Sequence, residues 1–505
     1  MLYAGFDCST QSLSLVVIDV AGSKREVVYR DALTFDDDLP AFGTKHGVSV
    51  DGPDGVVHTS PLLWASALEM MLGRLAHAID ASRLRAISGS AQQHGSVYCG
   101  ATPDILTRHT SPIWMDSSTA RECGEIESSL GGGAALAQLT GSRAFFRFTG
   151  PQIRKFARED PESYDRTRRI HLVSSYLASL LIDEHAPLDH ADGSGMNLMD
   201  IRTREWAVRA TGATAPHLRD KLPPLVPSST VVGHLAEKWQ RRFDLPSVKV
   251  AAWSGDNPCS LVGSGLIAEG QLGISLGTSD TIFGLMREPR VSPDGTGHVF
   301  ASPTGDYMGI TVFRNGSLAR ERIRDRFGLD WEGFSAALRA TPAGNDGALM
   351  LPWFEAEITP RVSTPRPLET GFGDASPARY VRAIVEAQMM ALAVHSRWMG
   401  VAPSTIYATG GGAGNREILQ VMADAFGAAV YRFESTDSAA LGAALRAWQA
   451  DSGLSWTEIT TPFAHPSGLP IEPVDPNVTT YQALQARYSA LERAALSSDT
   501  LRSVP

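Results

Sequence analysis

One order of elements occurs twice in this chain, and it constrains the fold more than any other feature. Leu2 to Phe6 and Leu13 to Val20 are apolar β-type runs flanking Asp7-Cys8-Ser9-Thr10-Gln11-Ser12, which predicts a hairpin. Ser60-Pro61 then opens a helix with Leu63, Ala67, Met71, Leu75 and Ile79 on one face. A strand from Leu84 to Ile87 leads into Gly89-Ser90-Ala91-Gln92-Gln93-His94-Gly95. The second half repeats this. Leu272 to Leu276 and Ile282 to Met286 flank Gly277-Thr278-Ser279-Asp280-Thr281, and Ser376-Pro377 opens a helix striped by Tyr380, Ile384, Gln388 and Leu392. Ile406-Tyr407-Ala408 then enters the turn Thr409-Gly410-Gly411-Gly412-Ala413-Gly414-Asn415. The expected fold class is therefore α/β, a duplicated domain with mixed sheets flanked by helices and a cleft between the halves. Residues 1–262 form the first half and 263–505 the second, joined near Asp256 to Gly265, with a terminal appendage after about Trp448.

What can bind in such a cleft is limited by what the chain lacks. Its six lysines are Lys24, Lys45, Lys155, Lys221, Lys238 and Lys249, and none follows a glycine. No G-x-x-x-x-G-K-[ST] phosphate loop exists. A net charge of −10 without a dense basic run argues against a nucleic-acid partner. The N-terminus has no basic segment before Asp7, and no apolar run reaches about 18 residues, so neither a signal peptide nor a membrane span is expected. Cys8, Cys99, Cys123 and Cys259 are too scattered for zinc spacing or a disulfide framework, which favours a reducing cytoplasm.

Without a lysine loop, phosphates must be held by turn backbone and hydroxyls. Ser9-Thr10-Gln11-Ser12 and Gly277-Thr278-Ser279 are two such turns, one per half, although each alone also reads as a plain hairpin. Asp7, ending a strand, suits a hydrated magnesium ion, which keeps most of its waters. The glycines of the Gly410 turn let a base or ribose lie against backbone, and Asn415 either caps the next helix or touches a nucleotide. Asp256 follows the strand Val248 to Trp253. It reads as a proton acceptor for a substrate hydroxyl, with Asn257 beside it, or as a helix N-cap. Gln93, His94, Trp114, Asp116 and Arg147 are candidates for a polyol site, polar groups with an aromatic wall. Trp114-Met115-Asp116 reads equally as core plus a turn.

These motifs resemble the FGGY carbohydrate kinases. The resemblance is carried by Asp7-Cys8-Ser9-Thr10-Gln11, Gln92-Gln93-His94-Gly95, Trp114 to Ser118, Gly255-Asp256-Asn257, Ser275 to Thr281 and the Gly410 turn. Thr140 to Arg143, Arg147 to Gly150, Asp192 to Asn197 and Asn415 to Gln420 resemble its D-xylulose-phosphorylating branch. The likeness runs from about Tyr3 to Trp448. It implies two duplicated actin-like (ribonuclease H-like) ATPase domains that move the γ-phosphoryl group of ATP to a sugar hydroxyl with Mg²⁺. The expected substrate is D-xylulose at O5, with D-ribulose or another ketose as the alternative, and a non-catalytic sugar sensor or an ATP-driven chaperone as a more distant one.

By the same resemblance Asp256 is the general base and Asp7 the magnesium-side carboxylate. Gln93, His94, Trp114, Arg147, Asp256 and Asn257 face the sugar. Thr10, Gln11, Gly277, Thr278, Trp331, Gly410, Gly411 and Asn415 face ATP. Ser9 stands where the family usually has glycine, and Gln93 where many bacterial members have methionine. The implied partners are a small sugar and MgATP, on a monomer or homodimer.

Overall fold

The computed structural model describes residues 1–22, 25–373, 376–433, 437–464 and 466–500, so Lys24 and the last five residues lie outside it. The two expected hairpins each nucleate a seven-stranded mixed sheet. In the first, β1 (Leu2–Cys8) and β2 (Ser12–Asp19) pair antiparallel, and β3 (Glu26–Thr34) continues that edge. On the other side β4 (Leu84–Ala91) runs parallel to β1, followed by β5 (Val231–His234) and β6 (Lys249–Ala251). The order is β5-β6-β4-β1-β2-β3, with β7 (Ser254–Gly255) also on β4.

The second sheet repeats the plan. It contains β8 (Gln271–Leu276), β9 (Asp280–Met286), β10 (His298–Ala301), β11 (Tyr307–Phe313), β12 (Thr405–Thr409), β13 (Ala429–Arg432) and β14 (Ser467–Ile471), in the order β10-β11-β9-β8-β12-β13-β14. Here β8 and β9 are the antiparallel hairpin, while β12 is parallel to β8 as β4 is to β1. Asp7 and Ser275 thus end matching strands. The strand expected from Leu84 to Ile87 extends to Ala91, because β1 pairs along its whole length and sets Asp7 opposite Ser90.

The helices follow their patterns, except that the first ends at Ala78 and leaves Ile79 just beyond it in extended backbone. In α1 (Pro61–Ala78), Leu63, Ala67, Met71 and Leu75 are buried in the core of the first sheet. α2 (Asp256–Gly263), α3 (Ser317–Arg326) and α4 (Trp331–Ala340) follow. α5 (Pro377–His395) is buried from Val381 to Ala393, on more than its expected stripe, because it runs through the centre of the second core. α6 (Arg416–Phe426) follows the glycine turn, and α7 (Ser438–Ser452) and α8 (Asp475–Thr500) end the chain.

Two features depart from the expected layout. The stretch after Trp448 is no appendage: β14 completes the second sheet, and α8 places Tyr481, Leu484 and Tyr488 in its core. Its proline, threonine and serine content masks a buried stripe at helical spacing. Second, α7 returns to pack on β1 and β4 of the first half. There it crosses α2 so closely that a Cβ on Gly442 would lie 1.9 Å from the Cys259 carbonyl oxygen, and one on Gly263 1.9 Å from that of Ser438. The buried Arg446 of α7 donates to the carbonyls of Ala252 at 2.6 Å and Gly89 at 3.2 Å, beside Asp189 at 3.5 Å. The second half of the chain is thereby tied to the first sheet, and α2, which begins with Asp256, forms half of the junction.

Candidate functional site

Three cavities hold most of the expected site residues. The first, about 460 Å³, has Gln93, His94, Trp114, Arg147, Asp256 and Asn257 in its wall. These are the six residues expected to face the sugar, drawn from segments far apart in the chain. His94 follows β4 with φ 72, a left-handed conformation uncommon for a side chain with a Cβ. Its Nδ1 donates to the Gly195 carbonyl at 3.0 Å, which leaves Nε2 as the acceptor nitrogen. Burial, then the nearby Arg147, pushes the imidazole down to about 3, so it stays neutral. Trp114, 39% exposed, presents its ring to the cavity, with Arg147 over that ring at 5.7 Å and over Phe145 at 4.7 Å.

Asp116 is not part of this wall. Its buried carboxylate accepts from the amides of Val57 and Ser118, the Ser118 hydroxyl and Gln152, with His58 at 3.3 Å. It braces the loop that carries Trp114. Asp256 resolves differently from its cap reading. Gly255 is the N-cap of α2, and Asp256 is its first helical residue, where the helix dipole favours negative charge. Its Oδ1 accepts from the Asn257 amide N–H at 2.7 Å and from Asn257 Nδ2 at 3.0 Å. Asn257 Nδ2 also reaches Gln93 Oε1 at 2.9 Å, so its donors hold Asp256 and Gln93 in register.

A second cavity of about 280 Å³ adjoins the first through Asp256 and also contains Asp7, Ser14, Ser260 and Asp437. Burial, then the negative charge of Asp7, raises the Asp256 carboxyl to about 7. Burial also raises Asp7, to about 6, with Ser90 opposing and Asp437 adding to the shift. Asp7 Oδ1 is buried and has no hydrogen-bond partner, a costly state for a carboxylate oxygen unless a ligand completes it.

The third cavity, about 770 Å³, is walled by Gly277, Thr278, Trp331, Gly411 and Asn415, together with Arg320, Ser335 and Gly412. Trp331 opens α4 and is 42% exposed. Asn415 is the N-cap of α6: its Oδ1 accepts from Glu417 and Ile418, and its Nδ2 donates to Ser335 at 2.8 Å. The capping reading therefore holds at a residue that also lines the cavity. Gly410 lies behind the wall, where φ 83 and a would-be Cβ 2.7 Å from the Leu276 carbonyl oxygen require glycine. In the first hairpin, Ser9 donates its N–H to the Ser12 carbonyl at 2.9 Å and is not among the residues with left-handed backbone, so serine fits there. Thr10 Oγ1 takes the Trp114 indole N–H and Gln11 is exposed, and neither residue belongs to any of the three walls.

Several wall residues carried no signal in the sequence. His298 and Phe300 from β10 and Arg314 after β11 face the first cavity, beside Thr281 of the second turn motif. Only the strand order brings them opposite His94. Phe145 and Phe148 also line it; Phe148 lies within the Arg147 to Gly150 motif, and Phe145 stands two residues before Arg147.

The chain is similar to known proteins along most of its length. Residues 2–263 match the FGGY family of carbohydrate kinases, N-terminal domain, and residues 272–450 match its C-terminal domain. The xylulose kinase of Mus musculus is 41% identical, covering 98% of this chain and 94% of that protein. Xylulose kinase 2 of Arabidopsis thaliana is 40% identical over 88% of this chain and 86% of that protein. The solved structure of a xylulose kinase from Rhodospirillum rubrum shares the fold, with a TM-score of 0.84, 19% identity and 98% of each chain covered. That of Plasmodium falciparum glycerol kinase with ADP gives 0.79 at 16% identity, covering 97% of this chain and 98% of that one.

Proposed function

Because the chain belongs to the FGGY family of carbohydrate kinases, we propose that it transfers the γ-phosphoryl group of ATP to O5 of D-xylulose, giving D-xylulose 5-phosphate. The observation that carries this reading is the position of Asp256, shared by the sugar-side cavity and the carboxylate cavity. A single group there can touch a sugar hydroxyl on one side and the path of the phosphoryl group on the other. The named relatives, at about 40% identity over most of the chain, support the ketopentose.

In this reading residues 1–262 bind the sugar and 263–505 bind most of the nucleotide. His94 Nε2 and Gln93 accept from or donate to sugar hydroxyls, Trp114 covers an apolar face, and Arg147 supplies donors. Asp256 accepts the proton of the attacking hydroxyl; its pKa near 7 suits proton transfer at neutral pH. The base and ribose lie against Trp331, Gly411 and Asn415, and the phosphates meet the turns at Thr10, Gly277 and Thr278. Asp7 fits Mg²⁺, since its buried Oδ1 lacks a partner, and the ion when bound neutralises phosphate charge. Catalysis then rests on positioning and charge stabilisation, as phosphoryl transfer requires little else. Closure about the α2–α7 junction expels water from between the halves.

The four cysteines are buried and unpaired, which suits a reducing cytoplasmic compartment. Among the described residues no helix is long and apolar enough to cross a membrane. Coupled ADP-release assays over D-xylulose, D-ribulose and other ketoses test the assignment. D-xylulose is expected to give the highest kcat/KM, and a clear preference for another ketose replaces it as substrate.

A further inference from the structure

Two arginines face the sugar-side cavity, one from each half of the chain, and only Arg147 belongs to the motifs described above. Arg314 is exposed and lines the same wall as Asp256, Asn257 and Ser279. Among the described residues neither guanidinium has a carboxylate partner, and the two are near enough that Arg314 adds to burial in lowering the pKa of Arg147. Two guanidinium groups lining one cavity without a carboxylate of their own suit an anionic ligand.

The strand register identifies which anion. Asp280 of β9 pairs with Phe313 of β11, so Arg314 leaves its strand level with Ser279, the last residue of the second phosphate turn. The backbone beneath it is fixed. The Arg314 N–H donates to Glu357 Oε1 at 2.6 Å, and Asn315 Nδ2 donates to Glu357 Oε2 at 2.7 Å. Gln388 Nε2 takes the carbonyls of Asn315 at 2.7 Å and Gly316 at 2.9 Å. Gln388 Oε1 in turn accepts from Arg320, which holds Asp280 with both Nη atoms at 2.8 and 3.1 Å. Ser317 N–H closes the arrangement on the Gly277 carbonyl at 2.8 Å. One buried polar network thus carries both the phosphate turn and the arginine beside it, in a chain with no phosphate-loop lysine.

We propose that Arg314 is a catalytic residue whose guanidinium contacts the γ-phosphoryl group as it passes from nucleotide to sugar. The proposal rests on the sugar-kinase reading above. In the step itself the sugar oxygen forms its bond to the γ-phosphorus while the bond from that phosphorus to the bridging oxygen of the β-phosphate breaks. ADP leaves with that electron pair, and the hydroxyl proton goes to Asp256. Arg314 donates hydrogen bonds to the equatorial oxygens and exchanges no proton.

The test uses the full-length protein on whichever ketose of a panel the wild type phosphorylates, so a mistaken substrate leaves it intact. Arg314→Ala lowers kcat by about 10³-fold, the scale of other arginines that stabilise phosphoryl transfer, with ketose KM within about threefold of wild type. Added guanidinium restores part of the lost kcat in this variant alone, and Arg314→Lys falls between. A kcat within about threefold of wild type, or a loss confined to ketose KM, overturns the proposal. A sugar-independent arm uses calorimetry: wild type distinguishes MgAMP-PNP from MgADP and Arg314→Ala does not. A discrimination unchanged by the substitution overturns the proposal even where no ketose is turned over, an outcome that separately removes the kinase reading.

Discussion

The Trp114 indole donates to Thr10 Oγ1 at 2.7 Å, joining a wall of the first cavity to the turn of the first hairpin. The two residues belong to different motifs, and the bond makes the placement of one depend on the other. Removing an ordinary hydrogen bond costs about 1 kcal/mol, roughly fivefold in an equilibrium. Trp114→Phe keeps an aromatic wall and is expected to raise ketose KM about fivefold by this loss. In a double-mutant cycle, Thr10→Val adds little in the Trp114→Phe background, whereas full additivity contradicts the coupling.

Trp331 lines the third cavity, the proposed nucleotide site, and is not among the residues lining the first. Trp331→Ala should raise the KM for ATP several-fold, because it strips an aromatic surface from the base, and leave ketose KM unchanged. Steady-state kinetics with each substrate varied in turn separates the two.

Arg446 makes a prediction about stability. It is buried between α7 and the first sheet, beside Asp189 at 3.5 Å. Arg446→Ala leaves that carboxylate without its cation and several carbonyls without a donor, a class of change that costs about 3–5 kcal/mol. A clearly lowered thermal midpoint is expected, together with weaker coupling between the halves. A melt superimposable on wild type contradicts the structural role.

How much of this was legible in the sequence depended on how local each signal was. Asp7, near the end of β1, and Asp256, at the start of α2, each lie inside a short motif, which made them candidates, although Asp256 read equally as a helix cap. The doubled hairpin gave both sheets, because alternation and turn chemistry act over a few residues. Arg314 and His298 were not legible: His298 lies on the edge strand β10 and Arg314 follows its neighbour β11, and only long-range pairing carries them to the first cavity. Asp116 misled for the opposite reason. It adjoins a wall residue in sequence, but the turn points its carboxylate inward to His58 and Gln152. Tyr481, Leu484 and Tyr488 were hidden by the polar composition around them.

The pH dependence has two opposing parts. Burial raises the Asp256 carboxyl to about 7, and the ionised form is the one that accepts a proton. kcat/KM should therefore rise with pH through about 7, since it reports the free enzyme. Stability has the other sign. A carboxyl whose folded pKa is raised contributes stability in full below its ordinary value of about 4 and loses it as pH climbs through about 7. Asp256→Asn should thus melt higher than wild type above pH 7, with the difference shrinking in acid.

The most direct test is ketose-dependent ADP release by wild type and Asp256→Asn, with the sugar product identified by phosphorus NMR. Wild type is expected to release ADP saturably with D-xylulose and to form the 5-phosphate. Asp256→Asn is expected to bind the sugar yet turn over at least about 10²-fold more slowly, the lower end of what general-base removal costs. ADP release that ignores the sugar, or near-normal turnover by Asp256→Asn, would contradict the account.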